Sequence, residues 1–387
     1  MRIAMISTPV GPLDLPGGGH AEDRGRHVTE LTAELLDGGH DVRGHPSGTP
    51  TGPVATAGEL LPQLGEYGRS LAAGWRAEDW SPDVVHAHGW DAGLAALHAV
   101  RRTGPVPVVL TYHALAPLPR PRRGSGSGPA PDGVDHRSGY DRALGQAVDR
   151  VVVQNTEELG HLIRRGVPRS RMVLVPAGVD QTLFRPDGPK APRDARSRIL
   201  TVAASRGGSG LADLVRALPA VPGAECVVLG PRPAGRRSDD PFAARLAALA
   251  ESCGVAARVT LVDGVSREEL PGWYRSADVL VATGDHDPYG RTALEAMACG
   301  VPVVGEATGG AADVVVDRVT GDLVGQRSPR ALAGALRRLL TDQVRRLTYA
   351  TASVDRIRSR YSWRRCAEQL TAVYAQTTGI GQTPVPA

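Results

Sequence analysis

Lysine is almost missing from this chain. Of 45 basic residues among 387, Lys190 alone is a lysine and the others are arginine. Together with 47 glycines and 31 prolines, this reads as the coding bias of a GC-rich genome. The net charge of +4 and pI near 9.0 therefore give no strong reason to expect a polyanionic partner. No basic run is interleaved with aromatics, which sets nucleic acid aside. The four cysteines, Cys226, Cys253, Cys299 and Cys366, are scattered without a C-x-x-C pair. That excludes a disulfide framework and a structural zinc site, and fits a reducing, cytoplasmic setting. No apolar run is long enough to span a bilayer, so no integral membrane segment is expected. The opening Met-Arg-Ile-Ala-Met-Ile-Ser reads as a buried strand, too short for a signal peptide. Also lacking is a G-x-G-x-x-G between strand and helix with a ribose-binding acid beyond it, which excludes a dinucleotide-dependent oxidoreductase.

What is present fits two domains. Strand signals at 2–7, 83–86, 106–111, 150–154 and 172–175 alternate with helix signals at 27–37, 92–101 and 156–165. A Pro- and charge-rich stretch, 185–197, reads as a linker. A second alternation follows, with strands at 198–203, 225–230, 258–262, 278–282, 301–305 and 321–324. Its helix signals are 211–218, 242–253, 267–275, 291–298 and 329–340, with more helix from 344 to 376. Short apolar strands between helices predict α/β architecture: two Rossmann-like, doubly wound parallel sheets, 1–184 and 198–361, facing a cleft. Residues 120–133 read as a flexible insertion and 377–387 as a disordered tail. Ligands of such sheets bind beyond the carboxyl ends of the strands. Gly18 and Gly19, His86, His88, His113, Ser205, Asp287 and Gly309-Gly310 collect there.

The most informative run is Asp285-His-Asp287-Pro-Tyr289-Gly290-Arg291-Thr-Ala-Leu-Glu295-Ala-Met-Ala-Cys-Gly-Val-Pro-Val-Val. An apolar strand leads into a glycine-containing loop, then a helix, then another strand. Asp287 and Glu295 bracket the loop and helix start. The helix N-terminus offers free N–H groups and positive dipole to a diphosphate, and the acids suit sugar and ribose hydroxyls. Asp285-x-Asp287 also fits a metal-diphosphate D-x-D, but its place deep in a second Rossmann-like unit favours a metal-free role. His86-x-His88 could hold a metal from one strand face, although the sequence offers no third ligand. No metal is expected.

This run resembles the E-x7-E signature of the retaining GT-B glycosyltransferases of family 4, with Asp287 where that family has Glu and Tyr289 where it has Phe. The resemblance covers almost the whole chain, through Asp83-Val-Val-His-Ala-His88, Val108-Val-Leu-Thr-Tyr-His113, the run from Val173 to Pro186, Leu270-Pro-Gly-Trp-Tyr-Arg-Ser-Ala-Asp-Val and Tyr361-Ser-Trp363. Its flavour is that of the actinobacterial subgroup containing the N-acetylglucosaminyl-inositol-phosphate synthases. The resemblance implies a hexosyltransferase that uses a UDP- or GDP-linked sugar as substrate, without a cofactor, and a small-molecule acceptor such as a cyclitol or natural product. It places Gly18, Gly19, Ser205, Ser209, Tyr289, Gly290, Arg291 and Glu295 on the donor. It makes His113 and Asp287 catalytic and turns His88, Arg137 and Asp141 towards the acceptor. A solvent-exposed Arg137–Asp141 ion pair is the alternative for the last two. The resemblance also implies that the terminal helix, 362–376, returns to the first domain. A homodimer is possible.

One departure is sharp. The family carries an R-x4-K phosphate clamp after the first strand of the second domain, and here Ala204 and Ser209 occupy those places. Arg206, in Ser205-Arg-Gly-Gly-Ser-Gly, is the nearest cation, and with glycine-rich backbone N–H groups it is expected to take the clamp's role. The alternative is a degenerate, non-catalytic relative that binds a sugar nucleotide or a protein partner.

Overall fold

Both halves of the chain alternate short apolar strands with helices, and each half builds one six-stranded parallel sheet. The computed structural model describes residues 1–8, 19–46, 57–115, 132–194, 196–203, 209–230, 240–282 and 289–380. In the first half the strands are β1 (Arg2–Ser7), β2 (Asp41–Pro46), β3 (Val84–His88), β4 (Val108–Thr111), β5 (Arg150–Val153) and β6 (Met172–Leu174). The helices are α1 (Gly19–Asp37), α2 (Ala57–Ala77), α3 (Trp90–Thr103), α4 (Asp132–Ala147) and α5 (Thr156–Arg164). The sheet order is β2-β1-β3-β4-β5-β6. Every residue of β3 and β4 is buried, because helices cover both faces; β4 is accordingly apolar up to Thr111, whereas β3 buries His86 and His88 beside Val84, Val85 and Ala87.

The second half has β7 (Ser197–Val202), β8 (Ala224–Gly230), β9 (Val259–Asp263), β10 (Val279–Ala282), β11 (Val303–Glu306) and β12 (Gly321–Val324). They are ordered β12-β11-β10-β7-β8-β9. Its helices are α6 (Ser209–Ala217), α7 (Pro241–Ser252), α8 (Leu270–Ser276), α9 (Arg291–Ala298), α10 (Gly309–Val314), α11 (Pro329–Thr341) and α12 (Gln343–Arg360), and the chain then enters α13 (Trp363–Thr378).

Two compact units result. Met1–Pro176 and the stretch from Trp363 form one, and Ala177–Ser362 form the other. The segment 185–194 runs with the second unit: Ala191 N–H donates to Gly272 O at 2.9 Å, and Arg275 Nε donates to Pro189 O at 2.9 Å. Helix α13 lies against α1, with His40 Nε2 3.1 Å from Thr371 Oγ1. Both sheets reverse direction once. After β2 the chain crosses to the other side of β1 to lay down β3, and after β9 it crosses to the other side of β7 to lay down β10. The crevices of these sheets therefore open beyond the carboxyl ends of β1/β3 and β7/β10.

Four elements had no clear sequence signal, among them helix α4, which begins at Asp132 where the sequence reads as the end of an insertion. Strand β2 is a short, polar edge strand. Helix α2 contains Pro62 and several glycines, which blur its period. One of these has a packing reason: a Cβ at Gly68 would lie 2.6 Å from Ala95 O and from His98 Cβ, so its absence lets α2 and α3 approach closely. Helix α10 is a single short turn after Gly309. Helix α1 also begins at Gly19, ahead of its apolar stripe. None of the four cysteines is disulfide-bonded. Among the described residues, no helix is long and apolar enough to cross a membrane.

Candidate active site

In the second unit the loops that carry most of the expected donor contacts leave β7 and β10, the two strands that flank its switch point. Ser205, Arg206 and Asp287, with Asp285, lie outside the described residues. Ser209 opens α6, and the chain is described again from Tyr289. Gly290 caps α9 in the left-handed region, φ 67°, which a side chain would strain. A Cβ on Gly310 would run into the Tyr289–Gly290 backbone. These two glycines bring the starts of α9 and α10 together, so that N–H groups of both turns are concentrated beside the loop from β10. Arg291 is the first residue of α9.

Glu295 sits one turn further in and is 3% exposed. Its carboxylate is held on both sides. Arg267 Nη1 donates to Oε1 at 2.8 Å, and Tyr274 OH donates to Oε2 at 3.0 Å. The Arg267 guanidinium lies 4.8 Å from the centre of the Phe184 ring. Each oxygen keeps a second acceptor position, so the group can still take a pair of hydroxyls. Sequence reasoning missed Arg267 and Tyr274. Their signal is the Ser-Arg-Glu-Glu-Leu-Pro-Gly-Trp-Tyr run between β9 and β10, which carries a helix and part of the family resemblance but assigns neither residue to the site.

In the first unit, His88 ends β3 and His113 follows β4. They meet: His88 Nδ1 is 2.8 Å from His113 Nε2. His113 has φ 61°, a backbone state uncommon outside glycine that often marks a functional position. His27, on α1, meets both His113 and Trp363 of α13 edge-to-face, with ring centres 4.8 and 5.0 Å apart. His86 does not join this group as a partner of equal standing. Its Nδ1 lies 2.6 Å from Tyr374 OH and its Nε2 2.9 Å from Thr111 Oγ1, while its ring leans on His88 at 4.1 Å. Burial holds the His86 imidazole down at about 3 and that of His88 well below its ordinary value, and neighbouring imidazoles add to both effects. Both rings are neutral at physiological pH. Gly19, at the start of α1, is described, and Gly18 is not. A buried Arg24–Asp91 pair (3.7 Å) ties α1 to the start of α3, and Arg24 Nη2 also donates to Thr8 O at 2.6 Å.

Arg137 and Asp141 lie one turn apart on α4 and pair at 3.1 Å. They are buried, at 7% and 0% exposure, so the solvent-exposed alternative is corrected: this pair belongs to the interior. Arg137 Nη2 donates to Ala114 O at 3.0 Å, directly after His113, and its guanidinium stacks 4.6 Å over Trp90. Tyr112 OH donates to Asp141 O at 2.5 Å. The pair thus supports the backbone on which His113 stands.

Glu158 lies near the same network. Burial raises its carboxyl to about 7, against the lowering effect of the Gln154 N–H bond and with a further push from Asp141. The folded state therefore retains a proton that the unfolded chain, titrating near 4.5, has lost. Stability from this group is unimpaired below about 4.5 and falls as pH rises towards 7, by at most about 3 kcal/mol at 1.36 kcal/mol per unit. Glu158→Gln is expected to raise the melting temperature at pH 8 and to leave it unchanged near pH 4.5. Parallel melting-temperature profiles for variant and parent across that range would refute the shift.

Comparison with known proteins covers both units. Residues 25–183 match the model described as Glycosyltransferase Family 4, and residues 188–354 match Glycosyl transferases group 1. The chain is 34% identical to a D-inositol 3-phosphate glycosyltransferase of Xylanimonas cellulosilytica, over 97% of each chain. It is 31% identical to the protein of that name from Thermobispora bispora, over 100% of this chain and 97% of the other. Among solved structures, a sucrose-phosphate synthase of Thermosynechococcus elongatus superposes with TM-score 0.76 at 24% identity, covering 98% of this chain and 99% of that one. This last likeness is one of fold.

Proposed function

The chain belongs to the group 1, family 4 glycosyltransferases of GT-B fold, enzymes that move a sugar from a nucleotide sugar, and from that premise we propose that it is a retaining, metal-independent transferase acting on a small polyhydroxylated acceptor. The observation that carries the proposal is the second unit's switch point. The Tyr289–Gly290 turn, the clustered starts of α9 and α10, and the buried Glu295 carboxylate stand together beyond β10, within the stretch that matches the group 1 model.

In this reading the second unit holds the nucleoside diphosphate. Glu295 accepts ribose hydroxyls, the start of α9 and the 204–209 loop face the phosphates, and Asp287 and Tyr289 meet the sugar. The first unit holds the acceptor near His88 and the Arg137–Asp141 pair. His113 contacts the transferred sugar. The bond from the anomeric carbon to the diphosphate oxygen breaks as the acceptor oxygen attacks from the same face. The leaving phosphate oxygen takes the acceptor's proton, so no protein base is needed. The relatives are named for D-inositol 3-phosphate, which makes a cyclitol the first acceptor class to try.

The test is a panel of UDP- and GDP-sugars offered with cyclitols and cyclitol phosphates, reading nucleoside diphosphate release and, by NMR, the anomeric configuration of the product. Turnover with retention is expected, and it is expected to persist in EDTA. Inversion would overturn the stereochemical reading. Turnover that disappears in EDTA and returns with Mn²⁺ or Mg²⁺ would favour the metal-diphosphate role of Asp285 and Asp287.

A further inference from the structure

His27, His88 and His113 come from three different elements: the middle of α1, the end of β3 and the residue pair after β4. Each offers a ring nitrogen, and the three atoms lie within 4.8 Å of one another; among the described residues no other group of histidine, cysteine or acidic side chains converges in this way. Exposure is 7% for His27, 0% for His88 and 5% for His113, so two of the rings reach the surface only at an edge. We propose that these three imidazoles form a binding site for one borderline divalent transition cation of the zinc type, and that its occupation switches the enzyme off.

The donor set selects the ion. Three imidazoles without a carboxylate suit Zn²⁺, Co²⁺, Ni²⁺ or Cu²⁺ and are poor ligands for Mg²⁺ or Ca²⁺. Around a tetrahedral ion with Zn–N bonds of about 2.0–2.1 Å, ligating nitrogens stand about 3.3 Å apart. His88 Nδ1 and His113 Nε2, now 2.8 Å apart, need to open by only about 0.5 Å, and His27 needs to close by no more than about 1.5 Å. These are side-chain rotations, not rearrangements of the sheet.

The surroundings already orient the ligands, as second-shell groups do at metal centres. His88 Nε2 lies 2.9 Å from Met5 Sδ, so an N–H there leaves Nδ1 as the ligating atom. His86, fixed between Tyr374 and Thr111, backs the His88 ring. Trp363 packs edge-on against His27. With three protein ligands a fourth position stays open for water or an anion, and the nearby Arg24 charge is already paired with Asp91.

The inhibitory part rests on the proposed role of His113: a ring nitrogen bound to a cation no longer meets the sugar. The binding part does not depend on that role. The experiment uses the full-length protein stripped with a chelator. Co²⁺ is titrated for the intense visible bands of a four-coordinate site, Zn²⁺ is titrated by calorimetry, and the zinc-loaded protein is examined by X-ray absorption. One ion per chain with three imidazole ligands is expected, with no competition from Mg²⁺. His27→Phe, which keeps the ring packing on Trp363, should weaken binding by at least about tenfold, the lower end of what loss of a mere outer-shell partner costs. Fewer than three imidazoles in the parent, or no stoichiometric binding, overturns the site whether or not the variant folds; so does a folded His27→Phe protein that binds as tightly as the parent. Stoichiometric Zn²⁺ should abolish turnover, and EDTA should restore it. A filled three-imidazole site with undiminished turnover would overturn the inhibitory part, and with it the sugar contact assigned to His113.

Discussion

Arg206→Ala is expected to lower kcat by about a hundredfold to a thousandfold, the loss typical when one preorganised donor is removed from a developing negative charge. The reason lies in composition. The transferred sugar leaves behind a diphosphate whose charge rises in the transition state. The 204–209 loop has Ala204 and Ser209 where the family carries Arg and Lys, and a chain with one lysine in all has no local substitute of that kind. Arg206 is the cation of that loop, at the carboxyl end of β7. A guanidinium can hold two phosphate oxygens in one plane, which an ammonium cannot. Placing Ala204→Arg and Ser209→Lys in the Arg206→Ala background should recover part of the rate. A variant with normal turnover would mean that the diphosphate is neutralised elsewhere; Arg267, already beside Glu295, is then the next side chain to test.

The clamp and the carboxylate motif leave adjacent strands of one sheet, which explains why a chain can alter one and keep the other. The start of α9 is fixed by geometry: Gly290 in the left-handed region, Gly310 against its backbone, and a carboxylate locked from two sides. Substitution at any of these positions disturbs packing as well as ligand contacts.

The parallel architecture was legible because buried strands such as β4, β7 and β10 are short, largely apolar runs in a chain that alternates strand and helix signals. The motif run through Glu295 was legible for the same reason: strand, loop, helix and strand follow one another with little noise. Strand β2 and helix α2 were not, since one is a polar edge and the other trades helical period for a glycine-mediated approach to α3. The histidine cluster could be read only in part. His86-x-His88 suggested two ligands on one strand face, whereas the convergence joins His88 to His27 and His113, residues far apart in the chain. Periodicity within a strand cannot reveal partners delivered by another strand and a helix. The Arg137–Asp141 pair shows a related limit: its spacing on a helix face was clear, but its burial depends on Trp90 and on the segment after β4.

Glu295→Gln should weaken donor nucleotide binding by at least about tenfold and lower the melting temperature as well. In the parent, Oε1 takes a charge-assisted bond from Arg267 and Oε2 a bond from Tyr274, and hydrogen bonds to a charged group contribute about 1.5–3 kcal/mol each. Glutamine has one acceptor oxygen for these two donors. If the oxygen stays with Tyr274, the new NH2 group faces the Arg267 guanidinium, donor against donor, at a position 3% exposed. The ribose hydroxyls then compete for a single neutral oxygen. Arg267→Met separates the two roles. It keeps an apolar stem over Phe184 and leaves the carboxylate in place, so it should cost stability while reducing nucleotide affinity less than Glu295→Gln does. Calorimetry on both variants, with each nucleotide that the parent binds, decides the matter. If Glu295→Gln binds all of them as tightly as the parent, the carboxylate is a purely structural partner of Arg267 and Tyr274, and the ribose contact must be assigned to another residue.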